Sequence, residues 1–392
     1  MKNDVVVVGA ARTPIGEFGG SLKDVSVVSL GMTAISAAVD RAKIDMSTVG
    51  EVIMGNCFDP ADTNVTRIAA VKAGIPVEAP AFTIVATCGS GMQAIISGMH
   101  SINEGGADFV VAGGFESMST APYLLTSARW GQRLNHNQLV DLLWRAMHEH
   151  PIGGGMGMTA ENIAEKYDIT REEQDNYALF SQQRGCKAVR EGRFAEEIAP
   201  VLIQSKKGGT KVVDTDEYPK PNITLEKLAQ LQPAFKKGGT VTAGNSCGIN
   251  DAAAALVLTT RQKADALGLT PLCRIVSHAS VGVDPAFMGI GPVPASKEAL
   301  RKAGLSIDDI DLFEINEAFA AQYLFCEREL HLNREIVNVN GSGISLGHPV
   351  GATGARLVVS LAYEMRKRGL RYGLASLCAG GGLGFAIIIE TL

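Results

Sequence analysis

Cys88 and Cys378 lie nearly three hundred residues apart, yet each ends an apolar run and enters a glycine-rich turn, Thr87-Cys88-Gly89-Ser90-Gly91 and Cys378-Ala379-Gly380-Gly381-Gly382. A thiol at such a turn can lie beside free backbone N–H groups, where a nucleophile and an oxyanion hole are built. Between them come Asn316-Glu317-Ala318-Phe319 and Gly347-His348-Pro349. His348 has the chemistry of a general base, and the Asn316 amide can hold a water or a carbonyl oxygen. Each also has a plainer reading. A lone cysteine is commonly a buried thiol, a lone histidine a satisfied structural one, and an asparagine after a strand a turn or cap residue.

These side chains must be held by the elements around them. Val5–Val8, Glu51–Gly55, Phe82–Ala86 and Phe109–Ala112 read as strands, and Ser29–Ala42, Ala69–Ala73 and Gly91–Glu104 as helices. Cys88 then precedes a helix beginning near Gly89, whose partial positive charge predicts a stabilised thiolate. The same grammar returns after residue 270. Strands are expected at Arg274–Ser277, Leu312–Ile315, Ile336–Val339, Tyr372–Leu377 and Gly384–Glu390, and helices at Lys297–Ala303, Ala318–Glu329 and Gly351–Arg366. This alternation argues for an α/β layer around a buried, largely parallel sheet. Aligning Arg41-Ala42-Lys43-Ile44 on Lys302-Ala303-Gly304-Leu305 sets Cys88 against Pro349, next to His348, which suggests a distant internal duplication. From residue 119 the pattern breaks into an insertion rich in glycine and charge. It contains Gly153-Gly154-Gly155, the helix Arg171–Glu191, Lys206-Lys207-Gly208-Gly209 and Lys236-Lys237-Gly238-Gly239. Such insertions often carry ligand or subunit contacts.

With 392 residues the chain is long enough for two or three packed domains. A net charge of −5 argues against a nucleic-acid or anionic-membrane partner, so an anionic ligand would need a local basic patch. No apolar run has the length of a membrane span. Met1–Asp4 passes straight into Val5–Val8, which predicts no leader peptide, and Ile389–Leu392 is not a peroxisomal address. The seven cysteines are scattered without a CxxC pair, so a zinc site or disulfide framework is not expected and a reducing cytoplasm fits. Gly341-Ser342-Gly343 through Gly347 has the spacing GxGxxxG, which fails the dinucleotide fingerprint. His148-Glu149-His150 has the residue types of a metal cluster, but such close neighbours do not share a helix face and read as solvated surface.

Taken together, the motifs resemble those of the thiolase family over essentially the whole chain. They are Val85–Gly91, Gly113–Ser119, Gly244–Asp251, Asn316–Phe319, Gly343–Gly351 and Cys378–Gly382. The resemblance implies an α/β fold of two related βαβαβαββ halves, with central sheets flanked by helices, plus an inserted loop domain. The halves would be residues 1–118, completed by about 250–269, and 270–392, with the loop domain at 119–249. The implied activity is that of an acetyl-CoA C-acetyltransferase, which condenses two acetyl-CoA to acetoacetyl-CoA and CoA, or the reverse. Cys88 would take the acyl group, His348 the thiol proton, and Cys378 would exchange the α-proton. Asn316, through a water, and His348 would bind one thioester oxygen, and the N–H groups of Cys88 and Gly380 the other. No cofactor or metal is required; coenzyme A thioesters are substrate and product. The pantetheine arm would run along Met156, Ala243, Ala318 and Phe319, with Phe235 and Lys220 near the nucleotide end. Met288 and the segment Ala128–Trp144 would shape the acyl pocket. The resemblance further implies a homotetramer built as a dimer of dimers.

Three positions depart from the family. Cys247 replaces a serine that contacts pantetheine, Lys220 replaces an arginine, and Gly155 stands where a histidine often precedes the Met-Gly pair. They bear on acyl specificity and CoA affinity, not on reaction class. The nearest alternative is a longer-chain 3-ketoacyl-CoA thiolase of β-oxidation, which shares the same catalytic residues. A non-catalytic CoA-binding scaffold fits poorly with all catalytic positions present. A decarboxylating condensing enzyme would pair its cysteine with histidines, not with Cys378. If Cys88 and Cys378 face one substrate carbon, oxidation could also bring their sulfurs to disulfide distance.

Overall fold

The valine- and isoleucine-rich runs become strands of one mixed sheet, and the amphipathic segments between them cover its faces. The computed structural model describes residues 4–59, 62–134, 136–204 and 208–392; Met1–Asn3 and the basic pair Lys206-Lys207 lie outside the described residues. The strands are β1 (Val5–Arg12), β2 (Glu51–Gly55), β3 (Ala81–Ile84), β4 (Val110–Ser117), β5 (Asn250–Thr260), β6 (Cys273–Gly282), β7 (Leu312–Ile315), β8 (Tyr372–Ala379) and β9 (Leu383–Glu390). They stand in the order β7-β8-β9-β6-β1-β5-β4-β2-β3. The helices that bear on the site are α1 (Val27–Ala42), α2 (Val65–Ala73), α3 (Ser90–Asn103), α4 (Leu142–His148), α5 (Met156–Lys166), α6 (Arg171–Arg190), α7 (Pro292–Ala303), α8 (Ala320–Glu329) and α9 (Val350–Arg368).

The expectation of a largely parallel sheet is corrected. Only β2 with β3, β2 with β4 and β7 with β8 run parallel. The centre, where β1 meets β5 and β6, β5 meets β4, and β9 meets β6 and β8, is antiparallel. The physical reason is connectivity. The three glycines Gly380–Gly382 turn β8 directly back into β9, and β5 returns from the insertion to lie between β1 and β4, so no helical crossover imposes parallel order. β5 escaped the reading of strand patterns because its core is Ala252–Ala255, a run of weak strand formers. Ala254 and Ala255 pair with Gly114 and Gly113 of β4, and at Gly114 the helix layer approaches too closely for any larger residue.

The expected strand Ile336–Val339 is also corrected. Arg334–Ile336 form a single tight turn, and only Val337 bridges to Phe313 of β7. Asn338 follows with φ +47°, a left-handed conformation that Asn tolerates better than most residues. Its side chain takes over the ladder, accepting from Ile315 N–H at 2.8 Å and donating to Ile315 C=O at 2.8 Å.

Alternation along β1 sets the layers. Val5 and Val7 join a core that contains α3, α9 and strands of both halves of the sheet. Val6 and Val8 face the opposite way, onto α1 and α2, and a third core packs α7 and α8 on the other half. Thus α3 and α9 lie between the two halves. A Cβ on Gly114 would sit 1.9 Å from the Gly351 carbonyl oxygen, and one on Gly354 only 2.4 Å from the Met92 nitrogen. Glycine permits this approach, and α9 is buried from Gly351 to Met365.

Arg12, at the end of β1, ties the insertion to this frame. It is fully buried and donates to Glu197 at 2.6 Å and to both oxygens of Asp216 at 2.7 and 2.9 Å. Removing one member of a buried ion group strands the others. Arg12→Met is expected to cost roughly 3–5 kcal/mol in urea unfolding; a loss below about 1 kcal/mol would show that these contacts do not hold the insertion in place.

Candidate active site

The Cys88 turn is locked from both sides. Ser90 Oγ donates to Thr87 C=O at 2.6 Å and accepts from Ala86 N–H at 2.8 Å. Thr87, with φ +49°, donates its hydroxyl to Ala86 C=O at 2.8 Å and lies 3.0 Å from Gly380 C=O, which pins the second glycine turn against the first. A Cβ on Gly89 would lie 2.1 Å from the Phe385 ring, so the turn is seated on β9. The backbone N–H groups of Gly380 and of Cys88 itself both reach the Cys88 sulfur. The thiolate expected from the helix N-terminus does not form at rest. Burial pushes the Cys88 thiol up to about 11, because lost hydration outweighs the two N–H donors.

His348 lines the same cavity as Cys88. Its Nδ1 lies 2.7 Å from Thr353 Oγ1, which in turn lies 2.8 Å from Pro349 C=O. A carbonyl only accepts, so the hydroxyl donates to it and Nδ1 must carry the ring proton. Nε2 is left as a buried lone pair with no protein partner. The His348 N–H donates to Asn250 Oδ1 at 2.9 Å, fixing the loop. Burial, reinforced by Arg356, lowers the imidazole to about 3, so it is neutral at ordinary pH.

Cys378 ends β8 and is 1% exposed, packed with Met288, Ala318 and Phe319. Burial, reinforced by Cys88, raises its thiol well above the usual range. Asn316 is fully buried at the end of β7, and neither side-chain polar atom has a protein partner. Two orphaned polar groups, the Asn316 amide and His348 Nε2, mark a place built for something other than protein.

One cavity of about 330 Å³ opens onto Cys88 and His348. Cys88, His348 and Gly380 line it, as do Met156, Phe235, Cys247, Met288, Ala318 and Phe319. Cys378 and Asn316 do not line it; Cys378 packs against the lining residues Met288, Ala318 and Phe319. The ring of Phe235 lies against Gly157, where any Cβ would clash at 2.1 Å, and edge-on to Phe319 at 6.0 Å. Two of the expected CoA-binding residues stand apart. Lys220 is ion-paired with Glu17 at 2.6 Å, and Ala243 is solvent-exposed; neither lines the cavity. Among the described residues of the segment Ala128–Trp144 only Leu142 lines it, while Trp130 and Leu134 are exposed to solvent. Gly155, with φ +95°, has the His148 carbonyl 2.8 Å from where a Cβ would be, so a histidine does not fit there.

Other lining residues were not singled out by the sequence. His150 is not solvated surface as its pattern predicts: it is half-buried and lines the cavity, held by its Nδ1 at 2.6 Å from Ile152 C=O. Among the described residues it joins no group fit to hold a metal ion. Cys57 also lines the cavity, its thiol 3.3 Å from Thr87 C=O. The internal duplication could have flagged this neighbourhood, because Asn56 follows β2 as Asn316 follows β7. Beneath Cys57, Glu116 accepts from Asn56 at 2.9 Å, Phe58 N–H at 3.0 Å and Gly351 N–H at 2.8 Å. Burial raises its carboxyl to about 7.

The family described as "Thiolase, N-terminal domain" matches residues 5–262, and "Thiolase, C-terminal domain" matches residues 269–391. An acetyl-CoA acetyltransferase of Syntrophomonas wolfei is 51% identical over 398 residues, covering 100% of both chains. The crystal structure of the Bacillus anthracis acetyl-CoA acetyltransferase superimposes with a TM-score of 0.97 at 50% identity, covering 100% of this chain and 99% of that one. Human mitochondrial 3-ketoacyl-CoA thiolase in complex with CoA gives 0.94 at 45% identity, covering 100% and 98%.

The state of His348 can be tested directly. ¹⁵N NMR should show a neutral ring protonated on Nδ1 from about pH 9 down to about pH 5. Its folded value, about 3, is below the ordinary 6.5. The stability gained by keeping it neutral is therefore complete above pH 6.5 and is lost as pH falls toward 3. His348→Gln should flatten that part of the stability profile. A ring that titrates near its ordinary value, or carries its proton on Nε2, contradicts the assignment.

Proposed function

The chain belongs to the thiolase family, and from that premise we propose that it is an acetyl-CoA C-acetyltransferase working through an acyl-cysteine. The observation that carries the reading is the neutral, Nδ1-protonated His348, which leaves Nε2 without a protein partner and lines the same cavity as Cys88. In the cleavage direction, His348 takes the Cys88 proton as the sulfur bonds to the 3-keto carbon. The N–H groups of Cys88 and Gly380 hold the resulting oxyanion, each contributing roughly 3–4 kcal/mol. The C2–C3 bond then breaks. Its electron pair goes to C2 as an enolate, whose oxygen is held by His348 and, through a water, by Asn316. Cys378 protonates C2 and acetyl-CoA leaves. Free CoA gives its proton to Cys378, its sulfur displaces the acyl group, and Cys88 recovers its proton from His348. Condensation is the reverse.

Residues 119–249 act in this reading as the CoA-facing loop domain between the halves 1–118, completed by about 250–269, and 270–392. The pantetheine arm lies along Met156, Ala318 and Phe319, with Cys247 beside it. Lys220 and Ala243 would contact CoA only after rearrangement, since the Lys220 ammonium is held by Glu17. Working thiols require a reducing compartment, which supports a cytoplasmic enzyme. Among the described residues no helix is long and apolar enough to cross a membrane. For assembly we favour the dimer of dimers. The edge strand β3 leaves Phe82 and Val85 exposed, and the insertion presents Trp130 at 94% and Leu134 at 91% exposure, two separate apolar surfaces.

Cys88→Ser should lower turnover by more than about a thousandfold and abolish covalent labelling by radioactive acetyl-CoA. Cys378→Ala should keep the labelling within a few-fold and lose carbon–carbon bond chemistry by a similar factor. Undiminished labelling of the Cys88 variant would refute the nucleophile; loss of labelling in the Cys378 variant would refute the division of labour.

A further inference from the structure

We propose that the ends of α6 and α9 build a second ligand site, which takes an anion of two or more linked phosphates. A cavity of about 350 Å³ lies there, lined by Arg184, Lys187, Glu191, Arg193, Lys367 and Arg368 among others, and it shares no residue with the catalytic cavity. That is room for a small molecule. Five cations and one carboxylate gather here in a chain whose net charge is −5. Basic residues in the last turn of a helix complement its carbonyl end, which accounts for Lys187, Lys367 and Arg368. It does not account for Arg184, which lies earlier in α6, or for Arg193, which lies beyond it. Nor are these ordinary solvated side chains, since those of Arg184 and Lys367 are only 15% and 21% exposed.

The cations are held in place with donors to spare. Glu364, buried on α9, accepts from Arg193, from Arg368 at 2.6 Å and from Asn340 at 2.9 Å. One carboxylate thus fixes two guanidinium groups side by side. Each gives it a single nitrogen, and among the described residues the remaining guanidinium nitrogens of Arg193 and Arg368 have no protein partner. Arg184 is braced from the other side. It donates to Arg334 C=O at 2.9 Å and to Val337 C=O at 2.6 Å, and reaches Glu335 only at 3.4 Å. Lys367 donates to Arg193 C=O at 2.6 Å and stands 3.9 Å from Glu196. The Lys187 ammonium has no partner among the described residues. Fixed guanidinium N–H groups beside a free ammonium suit phosphate oxygens, which accept several charge-assisted bonds at once. The spread of the cations over two helices favours linked phosphates over a single one.

The test is isothermal titration of the full chain with sodium pyrophosphate and with ATP, at an ionic strength of about 0.1 M. A dissociation constant below about 1 mM is expected for pyrophosphate, weakening as salt is raised. Equal affinities identify an inorganic phosphate chain as the ligand, and tighter ATP a nucleotide. Lys187→Ala should weaken binding at least about tenfold, and Arg193→Gln by at least as much, with cleavage of acetoacetyl-CoA unchanged within about twofold. The Lys187 ammonium bonds to nothing in the protein, so its variant separates lost binding from lost structure. Lys72→Ala, which removes an exposed cation of α2, should leave binding as it was. A constant above about 1 mM for both anions overturns the site. So does binding that neither cavity variant moves, or that Lys72→Ala weakens as much as Lys187→Ala. Loss of cleavage in step with binding in the Lys187 variant would place the anion at the catalytic cavity and overturn it as well.

Discussion

Everything at the site depends on how closely α3 and α9 approach each other in the middle of the molecule. Gly91, Gly114, Gly351 and Gly354 remove the side chains that would hold them apart; a Cβ on Gly91 would lie 2.8 Å from the Gly351 carbonyl oxygen. At native packing density such a contact cannot be relieved by a small shift. Cys88 enters just before α3 and His348 just before α9, so the approach of the two helices brings the thiol and the imidazole onto one cavity. Both helices also start at this cavity, where their N-terminal N–H groups favour negative charge that develops during acyl transfer.

The same burial sets the resting charge of the site. Desolvation outweighs every local donor, holding Cys88, Cys247 and Cys378 as thiols and His348 as a neutral base. No charge is stored in the absence of substrate. In the proposed reaction a proton moves only when a thioester carbonyl arrives and the two N–H groups can stabilise the oxygen that becomes negative. Backbone donors suit this task because they cannot ionise and are fixed by the turns that carry them, here by the bonds from Thr87 and Ser90.

The strand pairs β2–β4 and β7–β8 set residues side by side in matching register and then differ. Gly55 of β2 stands beside Gly114 of β4, and Ile315 of β7 beside Ser376 of β8. Asn56 and Asn316 then occupy corresponding positions, and so do Glu116 and Cys378. In the first half the pair is structural, with Asn56 and Glu116 bonded to each other at 2.9 Å. In the second half neither Asn316 side-chain atom has a protein partner, and a thiol stands where the carboxylate was. The carboxylate function reappears at Glu317, which accepts from Tyr177 at 2.7 Å and Ser181 at 2.6 Å, clamping α6 of the insertion onto the Asn316 loop.

The order of strands and helices was legible in the sequence, because hydrophobic periodicity reports which faces are buried: β2 and β7 fall on their expected limits, and α1, α3 and α9 come within two residues of theirs. The reactive set was legible as well, since thiols, an imidazole and an amide in glycine-rich turns are unusual enough to be seen one motif at a time. Strand direction was not, because it depends on which strands a chain returns between, as the alanine-rich β5 does. Nor were the neutral state of His348, the protonated state of Cys88, the inward turn of His150 or the pairing of Lys220 with Glu17. Those follow from how much water each group loses and which neighbour it meets, and both are set only when segments distant in sequence pack together.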